Sequence, residues 1–91
     1  MGRIRRVARR AFPRENEREI VLAEDSTTRL GWAIKESIGK ALRIGLLYDA
    51  GFERISIASL DPIVVQVDGA DPGLAFDVVE RADGVLVVAR G

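Results

Sequence analysis

The stretch most suggestive of chemistry is VDGADPGLAFDVV, residues 67–79. An apolar run ends at Asp68-Gly69, a second turn signal follows at Asp71-Pro72-Gly73, and a helix-like spacing begins behind it. Strand, glycine-bearing turn and helix is the order in which chains build anion-binding loops, because the first N–H groups of a helix are unsatisfied and point at the ligand. The same order describes a plain capped helix, with Asp71 as N-cap and Pro72 at the first helical position. The carboxylates of Asp68 and Asp71 decide between the two. Both would repel phosphate, and Asp71 would occupy one of the N–H groups itself. The fuller glycine-rich phosphate motifs are also missing. The stretch reads as a structural cap.

The second candidate is a basic arm. Residues 1–18 carry seven arginines against Glu15 and Glu17, an excess of five positive charges. The remaining residues carry seven basic and twelve acidic side chains, so the net charge of zero hides a basic arm on an acidic body. Arg3, Arg5, Arg6, Arg9, Arg10 and Arg14 are the candidate nucleic-acid contacts, since guanidinium is a charged fork suited to phosphate. RNA is the favoured partner. The other reading is that the arm docks on its own acidic body.

Other chemistry is thin. The chain has no cysteine and no histidine, which removes disulfides, thiolate zinc sites, cysteine nucleophiles and Ser-His triads. Asp61, Asp68 and Asp71 are turn carboxylates of the usual kind, so no metal site is expected. No catalytic constellation stands out. The expectation is a non-enzymatic domain without a cofactor. No apolar run approaches the roughly 20 residues of a membrane span, and a cytoplasmic location is expected.

The elements that would position these residues follow from periodicity. GRIRRVARRAF spaces Ile4, Val7, Ala8 and Ala11 as a helix, stopped by Pro13. EIVLA, residues 19–23, reads as a buried strand. Asp25, Ser26 and Thr27 are candidate N-caps for a long helix over 28–50, with Glu36 and Lys40 able to pair on its outer face. Gly31 and Gly45 share its apolar side and suggest a closely approaching sheet. Residues 54–60 and 63–67 alternate as strands around Asp61-Pro62, either as a hairpin or as one bent strand. A helix over 72–82 and a strand over 85–90 close the chain. The resulting fold class is α+β, a ferredoxin-like βαββαβ antiparallel sheet with two helices on one face, preceded by a short basic helix. The domain limits are 1–18 for the arm and 19–91 for the body.

Three resemblances touch these segments. GADPGL resembles the ligand loop of ACT domains, which bind amino acids between paired ferredoxin-like units; here the loop follows the third expected strand, not the first. ADPGLAFDVVERADGVLVV resembles the tail of minimal nucleotidyltransferases, but residues 1–60 hold neither the Gly-Ser nor the Asp-x-Asp on which that activity rests. More broadly, EIVLAEDS, AIKESIGKAL, RISIASLDPIVVQV and VLVVAR are similar in order to the ferredoxin-like protein subunit of archaeal ribonuclease P, over roughly residues 19–90. That resemblance implies a ribonucleoprotein subunit that helps a catalytic RNA fold. The expected function is therefore a non-enzymatic RNA- or DNA-associated domain. The alternative is an oligomeric scaffold or small-ligand-sensing module without nucleic acid.

Overall fold

A computed structural model describes residues 11–46 and 51–91. Among them, three helices precede four strands: α1 Glu15–Val21, α2 Asp25–Leu42, α3 Gly51–Arg54, β1 Ile55–Leu60, β2 Ile63–Val67, β3 Ala75–Arg81 and β4 Gly84–Arg90. The strands form two antiparallel hairpins, β1–β2 and β3–β4. The α+β class read from the sequence holds, and the set of helices and antiparallel strands is compatible with a ferredoxin-like fold.

Two elements differ from their expected type. EIVLA falls in and just after α1, and is not a strand. Helical spacing places Glu17 and Val21 on one buried face, four residues apart. Because the first of that pair is an acid, the apolar period is invisible and IVL reads as a short β run. Residues 72–82 hold strand β3, not a helix. Ala75, Val78, Val79 and Ala82 have helical spacing, but β3 pairs with β4 over seven residues, from Ala75↔Arg90 to Arg81↔Gly84. Asp83-Gly84 thus closes a hairpin instead of ending a helix, which is the other meaning of that dipeptide. The β1–β2 hairpin is as expected, with a slip in register between Ile57 and Ser59.

Helix α2 organises the core. It starts at a reciprocal capping box, where the Glu24 backbone N–H donates to Thr27 Oγ1 at 3.0 Å. It stops earlier than expected, at Leu42, because Arg43 turns left-handed (φ 55°) and the Ile44 N–H bonds back to Gly39 O at 2.8 Å. Ile34 and Ile38 are fully buried, packed with Phe12, Val21, Ile55, Ile57, Val65 and Val87. A Cβ at Gly31 would lie 2.6 Å from Val21 Cγ1 and 3.3 Å from Phe12 Cε1. The close approach expected there is real, but the neighbours are α1 and Phe12, not a sheet.

Phe12 and Ala11 are fully buried, so the packing reaches back into the stretch 1–18 that the sequence marks as an arm. Trp32 stands edge-on between Phe12 and Phe52, with ring centroids at 5.7 and 5.4 Å.

Candidate functional site

Among the described residues the most concentrated polar chemistry is buried. Lys35 projects from α2 into the core and donates to Glu17 Oε1 (3.1 Å), Ala11 O (2.7 Å) and Phe52 O (2.8 Å). Those are all three donors an ammonium has. The other Glu17 oxygen accepts the Ile57 N–H at 2.6 Å. Burial removes water from the Lys35 ammonium and pulls its pKa from 10.5 to about 8; Glu17 opposes the shift by charge and hydrogen bonding, and Arg14 adds to it. Neither side chain is more than 1% exposed, so the pair joins α1, α2, α3 and β1 rather than meeting a substrate. The sequence carried a signal for it: Lys35 lies four residues after Gly31 and three before Ile38, on the buried face of α2, where a lysine needs an acidic partner.

The accessible site is the seam between α2 and the β3–β4 hairpin. Strand β4 runs alongside α2 in the same direction, and two cavities line their contact. One, of about 330 Å³, lies between the first turns of α2 and the hairpin end, where Arg29 and Leu30 face Val78, Glu80, Arg81 and Val85. The other, of about 360 Å³, lies further along, between Ser37, Lys40 and Ala41 on the helix and Leu86–Ala89 on β4. Arg29, Glu36 and Lys40 are exposed and recur at i, i+7 and i+11, which is one stripe of the helix, and exposed Arg43 follows as its C-cap. Glu36 and Lys40 share it without an ion pair between them.

The residues singled out from the sequence fall elsewhere. Arg3, Arg5, Arg6, Arg9 and Arg10 lie outside the described residues. Arg14 is a tether, its Nη2 donating to Glu53 O at 2.7 Å. Arg18 does the same for Phe12 O (3.0 Å) and Pro13 O (2.7 Å). The 67–79 stretch is neither a phosphate loop nor a helix cap, since a strand follows it. Asp68 and Gly69, both at positive φ, close a tight turn in which Val67 and Ala70 exchange hydrogen bonds. Asp68 also pairs with Arg54, whose hydrogen bonds and charge lower its pKa. Asp71 accepts the Gly73 N–H at 2.8 Å, an Asx turn. No three carboxylates converge among the described residues. No described helix is long and apolar enough to cross a membrane.

Comparison with known families supplies what the geometry alone does not. Residues 2–85 match the family described as ACPS, the 4'-phosphopantetheinyl transferase superfamily. The match spans nearly the whole chain, and the chain belongs to that superfamily. No curated protein and no solved structure matches it significantly.

Membership corrects the functional expectations drawn above. The resemblance to the ribonuclease P subunit is overturned, and with it the RNA-binding, ribonucleoprotein role and nucleic acid as the partner. The physical reason is plain in the elements: that likeness required EIVLA as a first strand and a helix over 72–82, and both have the opposite type. The expectation of a non-enzymatic domain falls too, because the family is one of transferases.

Proposed function

We propose that this domain serves the transfer of a phosphopantetheinyl group from coenzyme A to an acyl carrier protein. The observation that carries this reading is the family match over residues 2–85. The chemistry is a displacement at phosphorus. A hydroxyl oxygen of the carrier protein forms a new P–O bond to the pantetheine-bearing phosphate. The pyrophosphate P–O bond breaks, the departing nucleotide phosphate keeps the electron pair, and the hydroxyl proton is lost.

Such a reaction needs positioning and stabilisation of phosphate charge more than covalent help from the protein. The seam is suited to this. Its two cavities are each of the size of a small-ligand site, and Arg29, Lys40 and Arg81 line them. Lys40 is the one charged side chain on the second cavity's wall, beside Ser37, Ala41 and the apolar residues of β4. On this reading the reaction is placed in the cytoplasm, a compartment with which a chain free of cysteine is compatible.

The test incubates the full chain with coenzyme A and an unmodified acyl carrier protein and follows the carrier by intact mass. Addition of the phosphopantetheinyl group is expected, and Lys40→Met should slow it by about 100-fold, the usual scale for one charge-stabilising donor. If no carrier protein gains mass and coenzyme A does not bind, the reading fails.

A further inference from the structure

Independently of the transferase reading, we infer that the free edge of β3 pairs with the same edge of a second copy of this chain. The product is a two-fold dimer with a continuous sheet in the order β4, β3, β3, β4. Strand β4 lies along α2, while β3 packs extensively on β4 alone. The other edge of β3 therefore faces away from the helix, and no other strand pairs with it among the described residues. Strand β3 is seven residues long and pairs with β4 without a shift in register, unlike the β1–β2 ladder. It lacks the bulge, proline or lysine that commonly blunts an exposed edge.

The turn determines which groups face outward. Arg81 and Gly84 flank a two-residue turn and so form a hydrogen-bonded pair. Bonded and non-bonded pairs alternate along an antiparallel ladder. Phe76, Val78 and Glu80 thus fall at non-bonded pairs and turn their N–H and C=O groups to the open edge. A two-fold antiparallel partner must set these residues opposite one another.

Few registers satisfy that condition, and charge selects among them. An axis through Asp77 or through Glu80 sets like carboxylates face to face, which is destabilising. An axis through Val78 sets Glu80 against the partner's Phe76 and leaves Asp77 and Arg81 without charged counterparts. Registers nearer the ends of β3 overlap too few residues. An axis through Val79 sets Val79 against the partner's Val79 and Asp77 against the partner's Arg81, twice by symmetry. Val78 then exchanges backbone hydrogen bonds with the partner's Glu80. Asp77, already 2.8 Å from Arg90 in its own chain, lies between two guanidiniums. Exposed Val79, Leu86 and Val88 join their counterparts in one apolar band on the outer face. The shared edge is short, so the dimer is a weak one that forms as concentration rises.

Sedimentation equilibrium of the full chain from about 1 μM to about 1 mM tests this. Wild type should pass from monomer to dimer and stop there, because a contact of one patch with itself closes at two copies. Val78→Pro removes an N–H that points at the partner and breaks no β3–β4 bond. It should keep the wild-type circular dichroism and stay monomeric. Arg81→Asp sets like charges opposite each other and should weaken dimerisation at least about tenfold. The Asp77→Arg, Arg81→Asp, Arg90→Asp triple variant reverses the whole charge network and should recover the dimer.

A wild type that stays monomeric throughout, or that assembles beyond two copies, overturns the inference. So does a Val78→Pro protein that still dimerises, an Arg81→Asp protein as tightly dimeric as wild type, or a triple variant that stays monomeric. If Val78→Pro fails to fold, the two charge variants decide alone. Carrier modification is read separately, so the transferase reading stands or falls apart from these results.

Discussion

Two ion pairs of similar length sit in two very different parts of this molecule. Lys35 meets Glu17 at 3.1 Å where α1, α2, α3 and β1 converge, with both side chains essentially inaccessible. Arg90 meets Asp77 at 2.8 Å across the β3–β4 hairpin, with 64% and 53% of the side chains exposed. Distance would rank the second pair as the stronger. Surroundings reverse the order, because water and ions screen an exposed pair while a buried one has only its partner. The contrast extends to the regions around them. The helical half is closed, with no buried side-chain donor or acceptor left unpaired among the described residues and Trp32 wedged between two phenylalanines. The hairpin half is open: Val78, Val79, Leu86 and Val88 are each more than 40% exposed, and the cavities lie along its junction with α2. The closed half gives α2 a fixed position, and the open half leaves room beside that helix for a ligand.

The most direct way to break this comparison is to remove one partner of the closed half. Lys35→Ala leaves the Glu17 carboxylate buried without its cation and frees the carbonyls of Ala11 and Phe52. The expected cost is about 3–5 kcal/mol. For a domain of this size that is a large part of the whole, which is of order 5–14 kcal/mol. Urea unfolding followed by Trp32 fluorescence measures it. A loss below about 1 kcal/mol would mean that the site relaxes around the missing charge, and the two halves would no longer differ in kind.

How much of this could be read in advance depends on which signal each element left. The β1–β2 hairpin was legible because its side chains alternate and Asp61-Pro62 separates the two runs. Most of α2 was legible from Leu30, Ile34 and Ile38. Its end was not, because a left-handed arginine gives no warning of the kind glycine gives. Helix α1 was hidden because Glu17 holds a core position, and pattern reading counts an acid as exposed. Strand β3 was hidden because two adjacent valines satisfy both periods, so that pairing with β4 decides the outcome. The seam could not be read at all. Arg29 and Arg81 are 52 residues apart in the chain, and only the folded hairpin brings them to one cavity.

Titration sharpens the comparison with a smaller effect. Lys35 takes up its proton at about 8 in the folded protein and at about 10.5 when unfolded. Between those values the unfolded chain binds more protons, so stability rises with pH. The contribution is fully present above the unfolded value and is lost as pH falls through about 8. Its size is on the order of 3 kcal/mol, at about 1.36 kcal/mol for each pH unit between the folded and unfolded values. Lys35→Met is the control, since it keeps the bulk and cannot titrate. The difference in unfolding free energy between wild type and this variant should climb from about pH 7.5 to about pH 10.5. A difference that falls over the same range would show the ammonium to be favoured by its site, and would place Glu17 above burial as the dominant influence.

The open half should give the smallest response, and a double-mutant cycle on Asp77 and Arg90 measures it. Asp77→Ala, Arg90→Ala and the double variant isolate the coupling, provided each single change removes the contact without making another. An exposed cross-strand pair is expected to contribute about 0.2–1 kcal/mol. The two long side chains lose freedom on pairing, and that loss offsets most of the Coulomb attraction. Salt supplies the second axis. Raising ionic strength from about 0.1 M to 1 M shortens the screening length from about 10 Å to about 3 Å, so the Asp77–Arg90 coupling should shrink toward zero. The Lys35→Ala penalty should hardly move, because ions do not reach a side chain with no exposed surface. A coupling above about 2 kcal/mol that persists in 1 M salt would mean that something covers the hairpin's outer face in solution and shields the pair as the core shields Lys35.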